Sequence, residues 1–121
     1  MNIVLVDDEK QMLAGLAKLL SLEGHRVESF DTFASARAAI QVSPCDLLIS
    51  DFFLDTGTGL DLAREVWKML PSLKVVLMSA SDPSEIDLAM DEESKKKVLF
   101  IEKPFRLNKL LELVKSQDLS L

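Results

Sequence analysis

Two hydrophobic periods alternate along this chain, and few architectures accommodate that alternation. Residues 3–6 form a short continuous apolar run, the mark of a strand buried on both faces. Met12, Leu13, Leu16, Leu19 and Leu20 then recur at helical spacing, and Glu23-Gly24 ends the pattern with a glycine stop. Residues 26–30 alternate and read as a second strand. Thr32 is placed to cap a helix carrying Phe33, Ala36 and Ile40, which Ser43-Pro44 terminates. Residues 46–50 are a third strand, Thr56-Gly57-Thr58-Gly59 a turn, and residues 60–70 a helix that stops before Pro71. Residues 74–78 and 98–101 are the fourth and fifth strands, with a weakly patterned helix over 83–90 between them. Residues 107–115 make a closing amphipathic helix.

Five strands alternating with five helices predict an α/β domain with a parallel sheet covered on both faces. The expected architecture is an open, doubly wound (βα)5 fold with a five-stranded sheet of flavodoxin-like order 2-1-3-4-5. A closed barrel of this type needs eight units, so it is excluded. The 121 residues, 48% of them hydrophobic, suffice for one core, and the expectation is a single domain over residues 1–121 with no output domain. One cysteine, Cys45, cannot form an internal disulfide, which predicts a reducing, cytoplasmic setting. No apolar run approaches the ~20 residues of a membrane span. Fourteen basic against twenty acidic residues give a net charge of -6. The one basic run, Lys95-Lys96-Lys97, closely follows Asp91-Glu92-Glu93. Direct nucleic-acid binding is therefore not expected.

In sheets of this kind, ligands bind outside the carboxyl ends of the strands, where strand order reverses. Those ends are Asp7-Asp8-Glu9, Asp51, Ser79 and Lys103-Pro104. The fold therefore gathers carboxylates, a hydroxyl and an ammonium at one edge. Asp7, Asp8 and Asp51 would repel one another there, and a hard divalent cation relieves that repulsion. Mg²⁺ suits such an oxygen-only site; zinc does not, since no His or Cys is placed to ligate it. A carboxylate can attack phosphorus to form an acyl phosphate, with Lys103 and the metal balancing the phosphoryl charge and Ser79 donating a hydrogen bond.

Val6-Asp7-Asp8-Glu9, Ile49-Ser50-Asp51, Leu77-Met78-Ser79-Ala80 and Lys103-Pro104-Phe105 together resemble the receiver domain of bacterial response regulators, in order and separation, across essentially the whole chain. That resemblance implies that Asp51 is the phosphoacceptor and that Asp7, Asp8, Asp51 and the backbone carbonyl of Phe53 hold Mg²⁺. It further implies that Lys103 pairs with Asp51 or the phosphoryl group, that Ser79 is the switch hydroxyl, and that Phe100 is the aromatic whose rotamer follows it. The Lys103-Pro104 bond is expected to be cis. Implied partners are a sensor histidine kinase or phosphotransfer protein, and an output domain or effector in cis or trans. A phosphorylation-dependent dimer is a further implied state. The only catalysis implied is of the domain's own Mg²⁺-dependent phosphorylation and dephosphorylation. The signal would pass through the surface made by the helix at 83–90, the strand at 98–101 and the helix at 107–115.

The chain departs from the family pattern at two places. Leu54-Asp55 replaces the usual Leu-Pro, which predicts a more flexible and more charged loop, and residues 94–97 stand where a Gly-Ala is common; the run at 95–97 reads as a solvated loop. A pseudo-receiver that docks partners without phosphorylation is the alternative reading. A flavin- or nucleotide-binding domain is disfavoured by the acidic loop after strand one. A dehalogenase-type phosphohydrolase is disfavoured because Phe53 stands where a second aspartate is needed.

Overall fold

The computed structural model describes residues 1–80, 84, 86 and 90–118. Its main sheet is built of β1 (Asn2–Val6), β2 (Arg26–Phe30), β3 (Leu47–Asp51), β4 (Lys74–Ser79) and β5 (Val98–Glu102). All four pairings are parallel and the order is β2-β1-β3-β4-β5, as the alternating periods predict. The described helices are α1 (Lys10–Leu22), α2 (Phe33–Val42), α3 (Gly59–Trp67), α4 (Glu92–Lys95) and α5 (Leu107–Gln117). Most of the helix expected over 83–90 lies outside the described residues; Ser84 and Ile86 are helical, and Ile86 is buried.

Side chains alternate across a strand, and the two faces of this sheet feed two separate cores. Ile3, Leu5, Leu47, Ile49, Val76 and Met78 pack with Leu13, Leu16 and Leu20 of α1 and with Leu110 and Val114 of α5. Val4, Val6, Leu48, Val75 and Leu77 pack with Ala36 and Ile40 of α2 and with Leu62, Ala63 and Val66 of α3. Covering both faces explains why β1, β3, β4 and most of β5 read as unbroken apolar runs, whereas β2, at the edge, alternates.

Several local expectations change in the folded chain. α2 has the expected cap, with the Ser35 N–H donating to Thr32 Oγ1 at 3.1 Å. α3 ends at Trp67, three residues short of the expected stop, where Trp67 Nε1 donates to the Leu73 carbonyl at 2.9 Å. Residues 56–59 are more than a turn: Phe53–Leu54 and Gly57–Thr58 pair as a two-rung antiparallel hairpin outside the main sheet. The run read as a solvated loop begins inside α4, which ends at Lys95 and whose first turn is capped by Asp91 accepting from the Ser94 N–H at 3.0 Å. Lys97 is no solvated charge either. Its ammonium lies 4.2 Å from the centre of the Trp67 ring and donates to the Pro71 carbonyl at 3.1 Å. Cys45 is buried, and burial pushes its thiol up to about 11, which leaves it unreactive at neutral pH.

Gly59 opens α3 directly behind the end of β3. Its N–H donates to the Phe52 carbonyl at 2.7 Å, so the two backbones nearly touch. A Cβ there would sit 2.6 Å from the Asp51 carbonyl oxygen and 2.9 Å from both Ser50 Oγ and Leu77 Cδ2. Backbone cannot yield as a flexible side-chain tip can. Gly59→Ala is therefore expected to destabilise the fold by about 2 kcal/mol, read as a lower urea midpoint with an unchanged slope.

Candidate functional site

Sheet register places the chemistry. Val6 pairs with Ser50, so Asp7 and Asp51 leave β1 and β3 at the same level. Asp51 pairs with Met78 and Ser79 with Glu102, which sets Ser79 one step further out and Lys103 one further still. Asp7 and Asp51 continue the strand positions that face α1 and α5; Ser79 and Phe100 continue those that face α2 and α3.

The sequence-predicted acids come together as expected. Asp7, Asp8 and Asp51 each offer a carboxylate oxygen, and the three oxygens lie within 4.8 Å of one another. Asp7 is fully buried, Asp51 partly buried and Asp8 exposed. Lys103 bridges two of them, with Nζ 3.2 Å from Asp7 Oδ2 and 3.3 Å from Asp51 Oδ1. Sequence reading pairs this lysine with Asp51 or the phosphoryl group; the bridge to Asp7 emerges only in the fold. The other Asp7 oxygen accepts the Glu9 N–H at 2.9 Å, and the Asp7 N–H donates to the Phe30 carbonyl at 3.1 Å. Asp8 is not the helix cap: Glu9 occupies that position without a side-chain cap bond.

Electrostatics follow from one cation bridging two of three clustered acids. Burial pushes the Asp51 carboxyl above its ordinary range; Lys103 pulls it back, while Asp7 and Asp8 add to the rise. Burial by itself would lower the pKa of Lys103, but Asp51 and Asp7 outweigh it, so the ammonium is held more firmly than usual. The lysine therefore stays charged and Asp51 stays short of compensation.

Ser79 is buried at the end of β4, and its carbonyl accepts the Lys103 N–H at 2.7 Å, tying the two predicted residues through the backbone. The Lys103-Pro104 bond is cis. Phe100 is half-buried against the α2/α3 core and pairs in register with Leu77, two positions before Ser79. Phe53 begins the hairpin with its ring 60% exposed, edge-on to Phe52 at 5.0 Å between centroids.

Asp55, expected to loosen the loop, instead pins it: Oδ1 accepts the Phe33 N–H at 2.9 Å. The first N–H groups of a helix lack intrahelical partners, and this carboxylate satisfies one of them in α2 from 22 residues away. An acid at the tip of a loop is the only signal the sequence offers for this contact.

The donor set fits a hard divalent ion. It is all carboxylate oxygen, gathered within 4.8 Å, which is the chemistry such an ion takes.

Fold and site together define an open, flavodoxin-like α/β domain whose chemistry lies in a lysine-bridged carboxylate cluster at the carboxyl edge of the sheet. A family profile described as the response regulator receiver domain matches residues 3–115, and the chain belongs to that family. Its members are signalling domains of two-component systems rather than metabolic enzymes. Among curated proteins, the chain is 30% identical over 110 residues to the response regulator receiver protein CpdR of Brucella abortus, covering 91% of this chain and 90% of that one. It is 26% identical to the DNA-binding transcriptional regulator NtrC of Proteus hauseri, covering 93% of this chain but 24% of that protein. The solved receiver domain of NtrX from Brucella abortus superposes with a TM-score of 0.81 at 31% identity, over 95% of this chain and 96% of that one. The receiver domain of the hybrid histidine kinase CckA gives a TM-score of 0.80 at 25% identity, over 97% and 98%. No described helix is long and apolar enough to cross a membrane.

The raised Asp51 carboxyl has a measurable consequence. A folded-state pKa above the unfolded value, near 3.8, gives stability that is present below that value and lost as pH rises through the folded one. In chelator, Asp51→Asn is therefore expected to raise the urea midpoint at pH 7. The gain should vanish by about pH 3, where both carboxyl and amide are neutral.

Proposed function

We propose that the domain is a phosphoacceptor switch in which Asp51 takes a phosphoryl group from a sensor histidine kinase or phosphotransfer protein. The carrying observation is the lysine bridge: Lys103 Nζ stands 3.2 Å from Asp7 and 3.3 Å from Asp51, so the candidate nucleophile shares a fixed cation with a neighbouring acid and clusters with Asp7 and Asp8. An Asp51 carboxylate oxygen attacks phosphorus and forms the new P–O bond. The bond from phosphorus to the donor breaks, and the donor leaves with that electron pair. Asp7, Asp8, Asp51 and the Phe53 carbonyl would hold Mg²⁺, which when bound balances charge on the transferring phosphoryl oxygens.

Lys103 exchanges part of its carboxylate partnership for the phosphoryl oxygens, and Ser79 donates its hydroxyl to one of them. Because the Lys103 N–H is bonded to the Ser79 carbonyl, those two displacements are coupled. Phe100, on the same face of the neighbouring strand, follows Ser79 inward. The altered surface made by the segment at 83–90, β5 and α5 then changes the affinity for an output domain, an effector or a second copy. A phosphorylation-independent docking module is the competing reading, and the intact acid cluster and lysine weigh against it.

Incubation with a small acyl phosphate and Mg²⁺ is expected to add one phosphoryl group to the wild type by intact mass. Asp51→Asn and a chelator should each abolish the adduct. An unmodified wild type would instead support the docking module.

A further inference from the structure

The hairpin beside the phosphoacceptor is poorly able to hold its own shape. It has two rungs, Phe53 with Thr58 and Leu54 with Gly57, and isolated two-stranded hairpins are marginal in water even when longer. Tight hairpin turns want positive φ at the turn residues, yet neither Asp55 nor Thr56 adopts it. Something outside the hairpin has to fix it.

Two anchors do. At its start, the Phe52 N–H donates to the Met78 carbonyl at 2.8 Å and the Phe52 carbonyl accepts from Gly59 at 2.7 Å. At its tip, Asp55 Oδ1 accepts the Phe33 N–H at 2.9 Å. The Phe33 ring also packs under the hairpin, 3.7 Å from where a Cβ on Gly57 would stand. The peptide of Phe53 lies between these anchors, two residues beyond Asp51.

We infer that Asp55 is a positioning residue: by clamping the hairpin to the start of α2, it holds the Phe53 carbonyl where the metal-loaded acceptor site needs it. This rests on the metal role proposed above. It turns the departure from a loop proline into a substitute for one. Proline stiffens a loop by fixing φ, whereas Asp55 stiffens it by an external hydrogen bond. The side chain acts through geometry and touches neither metal nor phosphoryl group.

Asn and Ala separate geometry from charge. Asparagine loses the charge but keeps a carbonyl oxygen for the Phe33 N–H, whereas alanine loses both. Mg²⁺ is titrated into ¹⁵N-labelled wild type, Asp55→Asn and Asp55→Ala, following the amides of Asp8 and Phe52, with hydrogen exchange at the Phe33 amide measured in parallel. The expected result is affinity within about twofold of wild type for Asn and about fivefold weaker for Ala, with Phe33 protection lost only in Ala. Equal weakening in both variants would mean that charge alone matters, and wild-type affinity in Ala would mean that the clamp is irrelevant to the site. Either result overturns the inference while leaving the phosphoacceptor reading in place. A wild type indifferent to Mg²⁺ overturns both.

Discussion

A carboxylate with no solvent exposure is costly to keep, and Asp7 is such a group at the end of β1. It persists because Lys103 reaches it at 3.2 Å and the Glu9 N–H occupies its other oxygen. That pairing ties β5 to β1 across the two strands between them. Lys103 must leave β5 at the right level, which the Ser79 carbonyl enforces by accepting its N–H at 2.7 Å. Removing the cation would strand a buried charge beside a second acid whose carboxyl burial has already pushed upward. The charge concentrated at this edge is thus what the fold must compensate in order to close there.

The two edges of the sheet are built differently. At the amino edge of β4 and β5, Trp67 and Lys97 lock α3 to the chain before β5 through ring, ammonium and backbone contacts. At the carboxyl edge β1, β3 and β5 lead into Asp7, Asp51 and Lys103 while β4 ends in Ser79, and a two-rung hairpin is held from outside by Gly59 and Asp55. Ligand sites commonly combine such a firm frame with an edge of lower local stability. The same domain serves in different settings: this chain matches nine-tenths of CpdR but about a quarter of NtrC.

β1, β3, β4 and β5 were legible because burial on both faces leaves an unbroken apolar run, β2 because its residues alternate, and α1, α2 and α5 because one buried stripe repeats at helical spacing. The acids and the lysine were legible for a related reason, since a strand end is easy to locate and the doubly wound order says which ends meet. Shorter elements were not. Two-residue strands leave no period, and α4 is a four-residue polar turn set by a single Asp91 cap. Asp55 was misread as a loosening residue because its partner lies 22 positions earlier, at the start of another helix. Lys97 was misread as solvated because nothing local announces the Trp67 ring.

Sequence by itself determined the strand order and the gathering of Asp7, Asp8, Asp51, Ser79 and Lys103 at one edge, because hydrophobic period and strand ends are local properties. That the expected single core is two, one on each face of the sheet, came from the fold. Tertiary structure alone decided that Lys103 bridges two acids rather than one, that Gly59 admits no side chain, and that the hairpin hangs from α2 through Asp55. Each of those depends on distances between segments far apart in the chain. Such distances are fixed by packing, which no local pattern encodes.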